Sequence, residues 1–168
     1  AVKMKKLSFW IAFAVIGTVG TLLHFCFDWS GENPVVGVFS AINESTWEHL
    51  KLLFFPAALY IAVENLLRGR LLSGAPAAAA GIFSGMASIV IIFYTYSGVL
   101  GKNVNWIDIL IFFIGVFVTL MINDIFSRNK KTSRTAEIIS ALLLVATAVF
   151  FGIWTFYPPS LGIFISPV

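Results

Sequence analysis

Long apolar stretches alternate along the chain with short polar ones, and five of the apolar stretches have the length of a membrane-spanning helix. A helix needs roughly 20 mainly apolar residues to cross about 30 Å of hydrocarbon. Stretches of this kind occupy residues 7–27, 47–67, 76–100, 106–126 and 136–157. The pattern predicts an all-α integral membrane bundle of five transmembrane helices, with residues 1–168 as a single membrane domain.

The composition favours the same class of protein. Of the 168 residues, 59% are hydrophobic and 11% are charged, whereas an ordinary soluble domain has about 25% charged residues. The net charge is +3, but the basic residues lie in short flanks and do not form one extended surface. We therefore expect a lipid bilayer around the chain and no nucleic-acid partner.

The flanking basic residues predict the orientation of the helices. With the N-terminus inside, nine Lys and Arg residues fall on the inner side and only Lys51 and Lys102 fall on the outer side. An inner excess of this kind is typical of multi-pass membrane proteins. Five spans then place the C-terminus outside. The nine inner residues are Lys3, Lys5, Lys6, Arg68, Arg70, Arg128, Lys130, Lys131 and Arg134.

Residues 21–51 hold the densest group of polar side chains in the sequence. Both histidines and four of the eight carboxylates lie there, namely His24, Asp28, Glu32, Glu44, Glu48 and His49. Ionisable groups are expensive in a bilayer and usually have a function. Because the first two predicted helices meet at the outer side, we expect this group to form one outward-facing site.

The spacing within this group permits metal binding. His24 and Asp28 are four residues apart and share a helix face, and Glu44 and Glu48 do the same. Mixed imidazole and carboxylate donors suit zinc, manganese or iron. The candidate ligands of a divalent cation are therefore His24, Asp28, Glu44, Glu48 and His49.

Simpler explanations exist for parts of this group. Asp28 is placed to satisfy the His24 ring at a helix end. Ser45, followed three residues later by Glu48, has the spacing of a capping box that starts a helix. These local roles leave His49 and the pairing of Glu44 with Glu48 unexplained.

Aromatic residues near the outer helix ends extend the candidate binding site. Trp47, Tyr94 and Tyr157 all lie at predicted outer ends. Carboxylates beside aromatic rings suit a cationic or amphipathic ligand. These three residues therefore join the five candidate metal ligands as candidate ligand-binding residues.

Gly81 and Gly85 form a small-xxx-small pattern in the third predicted helix. Such spacing lets two helix backbones approach closely. The partner is either another helix of the same chain or a second copy, which would make a homodimer through Gly81 and Gly85.

One resemblance covers nearly the whole chain. The pattern His24-x-x-x-Asp28-Trp29, the run Asn-Glu-Ser-x-Trp-Glu-His-Leu-Lys at 43–51, and Tyr157-Pro158-Pro159 resemble an uncharacterised family of small bacterial polytopic membrane proteins. The resemblance implies a location in the bacterial cytoplasmic membrane. It brings no activity with it.

A shorter segment is similar to the calcium-binding segment of the alkaline ceramidases, a group of intramembrane metal hydrolases. The matching residues are Asp28-Trp29-x-x-Glu32-Asn33, followed by Glu44. In that family three histidines hold a zinc ion, two of them in a His-x-x-x-His pair on a late helix, but no histidine follows His49 here. The segment also follows the first helix here, whereas it precedes it in that family. The resemblance implies cation binding at Asp28, Glu32 and Glu44, and it does not carry over hydrolysis.

Three functions remain open from the sequence. The favoured one is a binding or transport protein with an outward-facing polar pocket for a small molecule or cation. The second is an intramembrane metal-dependent enzyme that acts on a lipid or amphiphile, with Glu44 or Glu48 as the base. The third is a structural or partner-binding subunit. The middles of the first, third and fifth predicted helices carry no charge, which argues against a continuous polar path.

Overall fold

The computed structural model describes residues 6–128 and 132–166 and confirms an all-helical fold. Within these ranges five helices are long and apolar enough to cross a membrane. They are α1 (Lys6–Trp29), α3 (Thr46–Leu67), α4 (Ala75–Leu100), α5 (Asn105–Ser127) and α6 (Arg134–Phe156). The short helix α2 (Pro34–Gly37) lies between α1 and α3, and a 3₁₀ turn (Gly162–Phe164) follows α6. Each long helix begins and ends within two residues of the bounds predicted from hydropathy.

Successive long helices run in opposite directions. The His24 ring near the end of α1 lies 5.2 Å from the His49 ring in the first turn of α3. Tyr96 near the end of α4 donates a hydrogen bond to Asp108 in the first turn of α5. We call the end of the bundle that holds these contacts the histidine end. The opposite end, where Arg68 follows the last residue of α3, is the arginine end.

Helix α3 is the centre of the bundle. It contacts α1, α4, α5 and α6, and half of its 18-residue apolar segment is buried inside the bundle. Its core residues include Leu53, Phe54, Ala57 and Ile61, which belong to one cluster with residues of the other long helices, among them Ile16, Ile82, Val116, Leu120 and Phe151. Helix α6 is peripheral, since only Phe151 and Thr155 of its residues are buried. The cluster forms an apolar layer between the two ends.

Glycine allows the close packing of α4 against α5. A Cβ atom added at Gly81 would lie 2.5 Å from the carbonyl oxygen of Thr119, and one added at Gly85 would lie 2.6 Å from that of Gly115. A backbone carbonyl oxygen, unlike the end of a flexible side chain, cannot move aside to make room for a methyl group. Helix α5 therefore covers Gly81 and Gly85 within the chain. This intrachain contact is one of the two alternatives that the sequence left open, and a homodimer through the same two glycines stays a prediction.

The start of α3 has the predicted cap but not the full capping box. The Ser45 hydroxyl accepts a hydrogen bond from Glu48 N at 3.4 Å. The reciprocal contact is absent, because Asn43 Oδ1 accepts from Ser45 N at 2.9 Å while Glu48 Oε2 accepts from Ile42 N at 3.0 Å. The Glu48 carboxylate is thus free of the capping role and points to a different set of partners.

Substitution of Gly85 by Ala should destabilise the bundle. The added methyl group would overlap the Gly115 carbonyl oxygen and the Thr119 side chain, and overpacking of this kind costs about 1–3 kcal/mol. Gly98→Ala is the matched control in the same helix, because no atom lies within 4 Å of a Cβ added there. Thermal unfolding of the detergent-purified variants measures the difference. Equal midpoints for the two variants would contradict the close approach of α4 and α5.

Candidate metal site

Three of the predicted ligands meet at the histidine end. His24 lies near the end of α1, Glu44 lies in the loop between α2 and α3, and His49 lies in the first turn of α3. His49 Nε2 is 3.4 Å from Glu44 Oε2, and His24 Nε2 is 3.8 Å from Glu44 Oε1. One ligand atom from each residue lies within 4.8 Å of the other two. We call these three residues the His–Glu–His cluster.

The spacing of the cluster suits a tetrahedral metal ion. Zinc bonds of roughly 2.0–2.1 Å in a tetrahedral arrangement place the ligand atoms about 3.3 Å apart. The separations of 3.4 and 3.8 Å are measured to different oxygens of Glu44, and one ligand atom from each of the three residues lies within 4.8 Å of the other two. Small side-chain rotations would therefore bring all three donors to this spacing. Two imidazoles and one carboxylate form a donor set found in catalytic zinc sites, and they leave the fourth position open.

The His49 ring is held in a defined orientation. Its Nδ1 lies 2.9 Å from the carbonyl oxygen of Ser45, and because a carbonyl oxygen only accepts, Nδ1 carries a proton. A backbone carbonyl in this position is a common outer partner of a metal-binding histidine. The Nε2 atom that faces Glu44 then either bears a second proton or offers its lone pair to a metal ion.

Glu44 supplies an ionised oxygen between the two rings. The hydrogen bond with His49 lowers the pKa of the Glu44 carboxyl below its usual value and outweighs the opposing effect of partial burial, while the charges of His49 and His24 lower the pKa by smaller amounts. The Glu44 side chain is 67% exposed, so the pairing adds little to fold stability. The pairing matters for ligand binding, because it keeps Glu44 ionised as an anionic donor at the surface of the cluster.

The other two predicted metal ligands lie outside the cluster. Asp28 is exposed on α1. Glu48 is buried, with 2% of its surface exposed, although it is adjacent to His49 in sequence. In the described part of the chain, the three-donor group that the structure brings together contains Glu44 but neither Asp28 nor Glu32.

The three aromatic candidates have different surroundings. Trp47 is packed among other rings, with ring centroids 4.5 Å from Phe151, 5.2 Å from Trp154 and 4.9 Å from Phe164. The Tyr94 hydroxyl accepts a hydrogen bond from Thr46 at 3.3 Å, at the start of α3. Tyr157 is 81% exposed beyond the end of α6. None of the three closes over the His–Glu–His cluster through a contact that the structure records.

Lys51 is the polar residue whose role the sequence analysis missed. Counted there as an outer flanking charge, it has no exposed surface. Its Nζ atom donates to Glu48 Oε2 at 2.6 Å, to the Gly37 carbonyl oxygen at 2.7 Å and to Thr155 Oγ1 at 2.8 Å. These are the three hydrogen bonds that an ammonium group can donate. In the sequence, this contact could have been inferred from the i,i+3 spacing of Glu48 and Lys51, two opposite charges in an apolar run.

The Glu48 carboxylate has further neighbours besides Lys51. Its Oε2 also accepts from Ile42 N at 3.0 Å, and its Oε1 lies 3.1 Å from the Thr155 hydroxyl. We call Glu48 and Lys51 the buried ion pair. It joins α3 to the loop after α2 and to α6.

A family model matches residues 1–168, the whole length of the chain. The chain belongs to DUF6512, a family of unknown function. Comparison with curated proteins and with solved structures gave no match. Membership of DUF6512 confirms the expectation of an uncharacterised family, and it assigns no activity. For this DUF6512 member, function has to be argued from the residues of the site.

Replacing Lys51 alone should be strongly destabilising. In Lys51→Met the Glu48 carboxylate would remain buried without its cation, and breaking such a pair costs about 3–5 kcal/mol. Replacing both Glu48 and Lys51 by Met removes both charges and should recover much of that loss. Denaturant or thermal unfolding of the single and double variants measures the coupling. A double variant no more stable than Lys51→Met would show that the two charges do not depend on each other.

Proposed function

We propose that this chain is a multi-pass protein of the bacterial cytoplasmic membrane that binds a divalent transition-metal ion at its extracytoplasmic surface. The observation that carries the proposal is the convergence of His24, Glu44 and His49, whose ligand atoms lie within 4.8 Å of one another. These donors come from two helices and a loop, so their proximity is a product of the tertiary fold and not of sequence spacing.

The distribution of charge supports an outward-facing histidine end. The described basic residues at the arginine end are Lys6, Arg68, Arg70, Arg128 and Arg134. Lys3, Lys5, Lys130 and Lys131, which the orientation also uses, lie outside the described residues. Because Lys51 is buried in an ion pair, it no longer counts as an outer flanking charge. Lys102 is then the one basic residue of the described chain on the outer side. The positive-inside rule then favours the arginine end as the cytoplasmic one.

The donor set favours a transition metal over calcium or magnesium. Calcium takes six to eight oxygen ligands, and magnesium takes octahedral oxygen sites. Two imidazole nitrogens with one carboxylate oxygen suit zinc and its neighbours in the first transition row. We therefore expect zinc, cobalt or nickel to bind more tightly than calcium.

Binding at one surface is better supported than passage through the bundle. Below the cluster and the buried ion pair, the core residues Leu53, Phe54, Ala57 and Ile61 of α3 are apolar. Beyond these residues, the next buried polar groups are Thr119 in the second half of α5, and then Asn65 and Asn123 near the arginine end. A hydrated ion would have to cross the apolar layer between them, which is costly in free energy.

A metal-dependent enzyme acting on an amphiphile is the second candidate. The open fourth coordination position is where a metal-bound water is activated in such enzymes. An open groove of about 580 Å³ lies at the same end of the bundle, between α1 and the α2 segment. Its lining is mostly apolar and suits an acyl chain: Leu23, Cys26, Trp29, Ser30, Val35, Val36 and Phe39.

Zinc titration of the purified protein tests the proposal. Wild-type protein should bind one zinc ion, and His24→Ala, His49→Ala and Glu44→Gln should each weaken binding by at least about tenfold, since each removes a direct ligand. Asp28→Asn is the matched control, because it removes a nearby exposed carboxylate that lies outside the cluster. Calorimetry gives the affinities, and elemental analysis gives the stoichiometry.

The proposal fails if wild-type protein binds no zinc, or if Asp28→Asn weakens binding as much as Glu44→Gln does. The first outcome would favour a structural or partner-binding role. The second would indicate nonspecific attraction of cations to a carboxylate-rich surface.

A further inference from the structure

We infer that the buried ion pair of Glu48 and Lys51 is the positioning element of the metal site, because it holds the loop that carries Glu44. The inference rests on the proposed metal-binding function. It assigns to Glu48 and Lys51 a role that acts through Glu44, and neither residue touches the metal ion.

Glu44 is the ligand that most needs external support. His24 and His49 lie on long helices, whose backbones are fixed by their own hydrogen bonds. Glu44 lies between α2 and α3, in a connection without regular secondary structure, and its side chain is largely exposed. An unrestrained loop would lose conformational entropy on metal binding, and this loss would weaken the affinity.

The ion pair makes hydrogen bonds to the backbone of this connection at two points. Lys51 Nζ donates to the carbonyl oxygen of Gly37, the last residue of α2. Glu48 Oε2 accepts from the backbone N–H of Ile42, two residues before Glu44. The segment between these points is therefore fixed to the turn of α3 that also carries His49.

Ser40 ties the same segment to the other ligand-bearing helix. It lies between the two anchor points and is fully buried. Its hydroxyl accepts from Phe27 N at 3.0 Å and donates to the carbonyl oxygen of Leu23, the residue before His24. The loop is thus held to α1 beside His24 and to α3 beside His49, which explains how three separate segments bring their donors together.

The buried ion pair also contacts Thr155 of α6, so a purely structural role is the competing explanation. A structural role would make metal binding depend on overall stability alone. A positioning role would change the geometry around the ion even where the protein remains folded. A probe that reports coordination geometry separates the two.

Cobalt binding followed by visible absorption is such a probe, because the intensity of the cobalt bands depends on coordination number. The key variant replaces both Glu48 and Lys51 by Met. It leaves no buried charge unpaired, but it removes the hydrogen bonds to the Gly37 carbonyl oxygen and the Ile42 N–H. We expect its Co²⁺ affinity to fall about 10- to 100-fold, as for other outer-shell partners of metal ligands, and its spectrum to lose the tetrahedral bands. Gly85→Ala, which is destabilising but distant from the loop, is the control and should keep the wild-type spectrum.

Ser40→Ala provides a second variant in case the double variant does not fold. It removes only the tie to α1 and should weaken Co²⁺ binding in the same direction by a smaller factor. Wild-type affinity and spectrum in a folded double variant would overturn the inference while leaving metal binding intact. If the double variant is unfolded, wild-type behaviour of Ser40→Ala would overturn it, because metal binding would then not depend on how this loop is held. Failure of the wild-type protein to bind Co²⁺ would instead overturn the proposed function and this inference with it.

Discussion

The buried ion pair of Glu48 and Lys51 is the contact on which the histidine end depends. Removing two charges from water costs several kcal/mol per ion, and the pair persists only where other hydrogen bonds complete both groups. Here Lys51 has three acceptors and Glu48 binds a backbone N–H as well. The partners come from α3, the loop after α2, and α6. One pair of side chains therefore joins three separate segments of the chain.

This arrangement divides the support of the proposed metal site between two kinds of structure. Long helices fix His24 and His49, and hydrogen bonds to buried side chains fix the loop that carries Glu44. The apolar layer around Phe54 and Ile61 lies beneath the site and keeps the polar groups at one end. A family of unknown function offers no activity by analogy, so the chemistry of these residues is the basis of the functional argument.

The sequence predicts the helices well, because crossing a bilayer requires a minimum run of apolar residues that is easily read. It also predicts that His24, Glu44 and His49 belong to one polar group. It does not predict that Glu48 turns away from His49 into the core. Neighbouring helical residues point about 100° apart, and which of them faces the core depends on how α3 packs against the other helices. One such contact joins Glu48 to Thr155, which is 107 residues away. For the same reason the sequence locates Gly81 and Gly85 in a close contact but does not identify α5 as the partner.

X-ray absorption spectroscopy of the purified protein with one equivalent of zinc is the most direct test of the proposed metal site. The account predicts a first shell of nitrogen and oxygen at roughly 2.0–2.1 Å, with the outer-shell scattering of two imidazole rings. Substitution of either histidine should reduce that scattering to one ring. A shell of oxygen alone, with no imidazole contribution, would contradict the convergence of His24, Glu44 and His49 on one ion.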